Sequence, residues 1–255
     1  MANPVMECLL NHRSIRRFKP DPIEPGKLEL ILQAAVRTAT AGNLQPYALV
    51  VVDDPARFKE IAQGSAGPDL LAAPVAIFAL VDQYRLKRWF ELSGAPFYND
   101  QACNLFISFW DATIALQNAV VAAESLGLGS VYIGGVLAMD IQKAFGAPEY
   151  VFPAGLVLLG YPDETPPLRP RLPLEAVVHR NRYCIPTDAE IRSFYREEDA
   201  RFDALSDEQK ARLADKGVRN RAQHRTVGHY TEAFIREQSA AILENLRRAG
   251  FHIGL

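Results

Sequence analysis

QACNLFISFWDATIALQNAVVAAESLG, residues Gln101 to Gly127, decides how the rest of the chain is read. Apolar side chains fall around most of a helical wheel, and inside the run only Asp111, Gln117 and Asn118 interrupt them. From Asp100 to about Leu126 the pattern predicts one helix, about 40 Å long at 1.5 Å per residue. A helix apolar on nearly every side has to be buried on nearly every side. A chain of 255 residues has little material to surround it. The run therefore predicts an intertwined homodimer whose partner subunit covers one face; a central helix wrapped by its own sheet is the alternative. Gly127 and Gly129 suit the helix end.

Working outward, SVYIGG reads as a strand running into a glycine pair, MDIQKAFG as a helix and AGLVLLGYP as a buried strand. Upstream, YALVVVDD and APVAIFALVD are buried strands, too short and too β-branched for helices, with PARFKEIAQG a short helix between them. Pro4 to Asn11 and Pro25 to about Arg37 read as helices, the latter amphipathic through Leu28, Ile31, Leu32 and Ala35. Interleaved strands and helices predict an α+β fold with a mixed central sheet flanked by helices. Beyond the Pro-rich stretch PPLRPRLPLEAVVHRNRY the chain turns charged and helical. The expected partition is a core over residues 1–187 and a helical excursion over 188–255, packed on the core or on the partner subunit within the same domain.

The bulk numbers exclude several functions. Net charge is −2 and 49% of residues are hydrophobic, an ordinary globular balance with no long-range attraction to nucleic acid or anionic membrane. Cys8, Cys103 and Cys184 are odd in number and far apart, which suggests buried thiols rather than a disulfide framework or metal centre. The N-terminus lacks the pattern of a signal peptide, and no run meets the length of about 20 uncharged apolar residues that a span needs. A cytoplasmic protein is expected. GxGxxG, the P-loop, HExxH and GxSxG are all absent, and His224 and His229 are wrongly spaced for a zinc pair, so no metal site is expected. A chain without an acid, base, nucleophile or metal constellation is what a cofactor-borne chemistry leaves behind.

Two arginine clusters stand out. HRSIRRF, residues 12–18, sets three arginines and a histidine around Ser14. Arginine forks match phosphate oxygens, and each charge-assisted bond is worth about 1.5–3 kcal/mol. LRPRLP holds Arg169 and Arg171 on a proline-stiffened segment. YIGG brings glycines to a strand end, where backbone can approach a flat ligand, and NLQP offers amides for heterocycle edges. Taken singly, each has an ordinary reading as a solvated turn or surface loop.

In their order and spacing, HRSIRRF, NLQP, ALQNAVVAAESLGLGSVYIGG and LRPRLP resemble the FMN-dependent nitroreductase family, in particular its oxygen-insensitive NADPH nitroreductase and flavin reductase P branch. The likeness extends over essentially the whole chain. It implies an α+β homodimer with FMN sites formed across the interface. It implies that His12, Arg13, Ser14, Arg16, Arg169 and Arg171 hold the FMN phosphate and ribityl chain. Thr40, Asn43 and Gln45 would lie along the flavin, Tyr132, Ile133, Gly134 and Gly135 would pass its edge, and Ser65 would stand in for a glutamine contact. Lys216, Arg219, Arg221 and Arg225 would take the 2′-phosphate of NADPH, though a solvated helix face is the plain alternative. No side chain need be catalytic, with Arg16 stabilising charge on the reduced flavin. The implied activity is ping-pong hydride transfer from NADPH or NADH to FMN N5, and on to nitroaromatic, quinone or free flavin acceptors.

The sequence departs from that branch at Asn43, Leu137 and Ser239, where relatives carry serine or basic residues, so a less basic acceptor pocket is expected. A flavin-binding storage protein with little turnover shares every feature above. An anion-binding module without flavin shares the arginine clusters only.

Overall fold

The computed structural model describes residues 3–62, 69–228 and 230–253. The chain divides into two compact units, Met1–Leu168 with Ala240–Leu255, and Arg169–Ser239.

In the first unit, α1 (Pro4–Leu10) starts on a proline and is capped by Asn3, whose side chain accepts the Met6 N–H at 3.0 Å. Next come α2 (Pro25–Val36), β1 (Tyr47–Val52) and α3 (Pro55–Ile61), the last capped by Asp54. β2 (Val75–Asp82) leads directly into α4 (Tyr84–Leu92), then α5 (Ala102–Ser125), β3 (Gly129–Tyr132), α6 (Ile141–Phe145) and β4 (Val151–Gly160). The second unit carries α7 (Asp188–Phe194), α8 (Arg196–Asp203), α9 (Asp207–Ala214) and α10 (Arg221–Gly228). α11 (Glu232–Arg248) begins in the second unit and ends in the first. Helix α4 was not anticipated, because YRLKRWFEL is short, has four charged residues among its nine, and its leading residue Gln83 makes no side-chain cap.

The sheet order is β1-β2-β4-β3, and every ladder is antiparallel. This corrects the expectation of a mixed sheet. An isolated parallel bridge joins Ser14, outside the named strands, to Ser130 of β3. Central strands β2 and β4 are buried almost end to end. Pro153 lies within β4 and has no N–H for the ladder. The register slips beside it, Ala79 facing Gly155 and Leu80 facing Pro153, so Ala154 is the extra residue of a bulge.

Alternation along β2 sorts two cores. Ile77, Ala79 and Val81 face the layer of α2 and α5, while Ala76, Phe78 and Leu80 face Phe58, Ile141, Ile15 and Phe18. Helix α5 lays Ala112, Ala115, Ala119 and Ala123, all fully buried, toward the first core. Its other side carries Phe106, Trp110 and Ile114, one turn apart and 59%, 62% and 45% exposed. The single chain thus covers one face of the helix and leaves the other bare. By length and composition α5 could cross a membrane, but it carries Asp111 and Glu124, and 44% of its most apolar stretch is buried within the protein. That packing marks it as a core helix.

Gly127 ends α5 with φ +81°, as expected of a left-handed cap. Gly129 serves differently. It sits in β3, where a Cβ would fall 2.6 Å from Ile15 Cγ1. The glycine is there to let residues 14–18 lie against the sheet.

Candidate functional site

Residues 12–18 form a strap along the sheet edge. The Ile15 N–H donates to Ser130 O at 2.8 Å and the Lys19 N–H to Tyr161 O at 2.8 Å. Ile15 and Phe18 are buried, while the intervening Arg16 and Arg17 are exposed. Glu164 holds them from beneath, its Oε1 accepting the backbone N–H groups of Arg16 at 2.5 Å and Arg17 at 3.2 Å. Those two bonds, the one from Arg16 first, hold the Glu164 carboxyl below the usual carboxylate range. The Arg17 side chain is 60% exposed.

His12 turns toward α5, its Nδ1 2.7 Å from Glu124 Oε1, which also accepts the Ser130 hydroxyl at 2.7 Å. A carboxylate partner makes Nδ1 the protonated nitrogen. Arg13 Nε is buried with no hydrogen-bond partner among the described residues. Such an orphan costs about 1–3 kcal/mol or more for a charged group, so it points to an acceptor that the protein does not itself provide. Arg13 borders a cavity of about 250 Å³ with Cys8, Asn11, Glu124, Glu164 and Thr165.

The Ser14–Ser130 bridge sets this strap beside β3, which runs out through Tyr132 and Ile133 into a short 3-10 turn, Gly134–Ala138. A Cβ at Gly134 or Gly135 would meet nothing within 4 Å, and neither residue has a positive φ. Packing and backbone conformation therefore leave both glycines unexplained, whereas a flat ligand laid on them would explain both. The Tyr132 hydroxyl donates to Gln117 Oε1 at 3.1 Å, and its phenol is pushed up to about 12 by burial, with the Glu124 carboxylate adding. It stays a donor at any physiological pH. Leu137 packs into the second core.

The loop 40–45 is anchored by α5. Thr40 Oγ1 donates to Asp111 Oδ2 at 2.5 Å, the Ala41 N–H donates to the same oxygen at 3.0 Å, and Thr40 Oγ1 accepts the Gln45 N–H at 3.0 Å. Gly42, Asn43 and Gln45 all have left-handed backbone, with φ +56°, +55° and +52°. The exposed amides of Asn43 and Gln45 edge a groove of about 430 Å³ that includes Arg85, Leu86 and Trp89.

Helix α5 is thus the spine of the site. Asp111 takes the amide loop, Gln117 takes Tyr132 and Glu124 takes His12. Sequence reasoning singled out Asp111 and Gln117 as interruptions of an apolar helix without giving them partners, and it missed Glu124, Glu164 and Arg85. The signal for Asp111 was present: a polar group kept on a buried face needs a buried partner. Glu164 and Arg85 carried no such mark.

Arg169 and Arg171 open the second unit, both exposed, with Arg171 Nη1 donating to the Arg169 carbonyl at 3.4 Å. In the same unit Glu198 gathers three arginines. Its carboxylate lies 3.0 Å from Arg221 Nε, 3.0 Å from Arg201 Nη1 and 3.9 Å from Arg225 Nη2. Burial works against the Glu198 charge, yet Arg221 and then Arg201 prevail and hold its carboxyl below the usual range. Lys216 and Arg219 are exposed and make no ion pair among the described residues. Ser239 is exposed and bonds back to its own helix. Ser65 lies outside the described residues.

Comparison with known proteins adds what geometry alone cannot. The profile of the Nitroreductase family matches residues 9–161. The oxygen-insensitive NADPH nitroreductase of Salmonella typhimurium is 30% identical, over 98% of this chain and 98% of its own. A crystal structure from Bacteroides fragilis, 29% identical, superposes with a TM-score of 0.86 over 96% of this chain and 99% of that one. The NADPH:FMN oxidoreductase of Vibrio harveyi, solved with NAD+, is 30% identical with a TM-score of 0.74, covering 97% and 98%.

Proposed function

The chain belongs to the nitroreductase family, and on that premise we propose that the strap, the end of β3 and the 40–45 loop together hold FMN. The protein is an NADPH-dependent oxidoreductase of the flavin reductase and nitroreductase kind, with FMN as cofactor and NAD(P)H as reductant, acting on small molecules. FMN, when bound, supplies the capacity to take a hydride from the reduced nicotinamide and give two electrons to a second substrate.

The residues of this chain bind and orient. The observation that carries the reading is the buried Arg13 Nε without an acceptor, one residue from the bridge to β3. We assign it to the FMN phosphate, with His12, Ser14 and Arg16 beside it. Arg16, exposed and tethered at 3.3 Å to the Ser14 carbonyl, is the cation we assign to charge on the reduced ring. Gly134 and Gly135 leave room for the ring edge, with Tyr132 and Ile133 leading into it. Nitroaromatics, quinones and free flavin are the acceptor classes we propose, and Lys216, Arg219, Arg221 and Arg225 the candidates for the 2′-phosphate of NADPH. The bare row Phe106, Trp110 and Ile114 supports a homodimer in which a partner covers α5. Free cysteines support the cytoplasm as its location.

The absorbance of the purified protein tests the assignment. A flavin spectrum is expected, bleached within seconds by NADPH and restored by a nitroaromatic or quinone. A protein that is colourless and takes up no added FMN sinks it; a coloured protein that NADPH does not bleach returns the storage reading. Trp110→Glu should convert the wild-type two-chain mass to a one-chain mass in sedimentation, and an unchanged mass would refute that interface.

A further inference from the structure

The loop 40–45 has an unusual backbone. Two of its six residues, Asn43 and Gln45, are non-glycine residues in left-handed backbone, a region that asparagine tolerates and glutamine disfavours. Such conformations persist only where the surroundings fix them. Here two charged side chains do so, one at each end.

Asp111 fixes the entry. It is buried to 5% exposure in the middle of α5, and one of its oxygens takes both the Thr40 hydroxyl and the Ala41 N–H. The same Thr40 oxygen then accepts the Gln45 N–H, which closes the loop on itself. Arg85 fixes the exit. Its Nη2 donates to the carbonyls of Gln45 and of Tyr47, the latter at 3.0 Å. Its Nε lies 3.6 Å from Asp82 Oδ2, so the guanidinium is aimed from the opposite side. Between the two anchors the side-chain amides of Asn43 and Gln45 remain exposed; Gln45 Nε2 lies 3.4 Å from both Asn43 Oδ1 and the Asn43 carbonyl oxygen.

We propose that Asp111 and Arg85 are positioning residues, which clamp a left-handed loop so that the Asn43 and Gln45 amides stand preset for the flavin edge. This rests on the FMN reading above and adds to it the residues that set that contact without touching it. A preset loop binds without first being ordered, so the clamp should show in affinity and in the environment of the ring.

The test titrates FMN into apo-protein by flavin fluorescence quenching, for wild type, Arg85→Ala, Arg85→Lys and Asp111→Asn. Visible circular dichroism of the bound flavin and the thermal midpoint of each apo-protein are recorded alongside. Arg85→Ala should raise the FMN dissociation constant about tenfold, the scale of one charge-assisted contact. It should alter the flavin dichroism and leave the apo-protein midpoint within a few degrees. Arg85→Lys, which can still reach one carbonyl, should recover part of the loss. Asp111→Asn, which keeps an acceptor for Thr40, should weaken binding less than Arg85→Ala. Affinity and dichroism unchanged in all three variants would overturn the clamp while leaving the FMN assignment intact. So would a loss of affinity that merely tracks a falling midpoint. A wild-type chain that quenches no flavin overturns both readings.

Discussion

Glu164 shows how much one side chain can organise. Its carboxylate holds two consecutive N–H groups of the strap, and in consequence its pKa lies below the ordinary 4.5. A depressed carboxyl stabilises the fold above the unfolded pKa, and that contribution is lost as pH falls through the folded value. Glu164→Gln should therefore lower the thermal midpoint near pH 7 and converge with wild type toward pH 3, which flattens the acid limb of the profile. Two glycines separate structure from function at the same scale. Gly129→Ala drives a Cβ into Ile15 and should cost about 1–3 kcal/mol in urea unfolding. Gly134→Ala meets open space, so it should leave stability within about 0.5 kcal/mol while weakening FMN binding. If Gly134→Ala binds FMN as wild type does, the ring edge lies elsewhere.

At the level of elements, α5 joins core to site. Leu116 is fully buried, and its Cδ2 lies 2.9 Å from where a Cβ on Gly155 would stand, so sheet and helix meet there without slack. Leu116→Ala should cost about 2–5 kcal/mol in denaturant unfolding, far more than truncating exposed Ile114 in the isolated chain. Elements such as α5, β2 and β4 were legible because their apolar runs have the length and branching of one structure only. α4 was not legible, since its amphipathic face is short and its caps are weak. Strand direction was not legible either. Every ladder depends on which edge a connection crosses, and neither β1 nor β3 carries a residue that dictates it. The bulge at Ala154 was foreshadowed by Pro153, although alternation alone gave no register.

For the whole molecule, the two units differ in what the sequence disclosed. In the first, the motif residues 12–14 and 132–135 converge through the Ser14–Ser130 bridge, while the groups that hold them in place are distant in sequence and chemically ordinary. In the second, the basic run 216–225 proves uneven. Arg221 and Arg225 already share Glu198, whereas Lys216 and Arg219 are uncommitted among the described residues. Truncating Arg221 therefore also strips a partner from Glu198, and Arg219 is the cleaner probe. Arg219→Ala should raise KM for NADPH about tenfold and leave KM for NADH unchanged. Equal losses with both nucleotides would remove the 2′-phosphate from this unit.

The strap has one more consequence, which concerns time. Its basic residues are synthesised well before their partners, Glu124, Ser130, Tyr161 and Glu164, which lie more than a hundred residues behind them. Residues 12–18 must wait, undocked, until that stretch has been translated. The first core closes later still, since Leu246 and Phe251 belong to it and the Tyr150 N–H donates to the Ala249 carbonyl. Contacts this remote in sequence form slowly. The strap thus stays undocked until residue 164 has been made, and the first core cannot close before residue 251 follows.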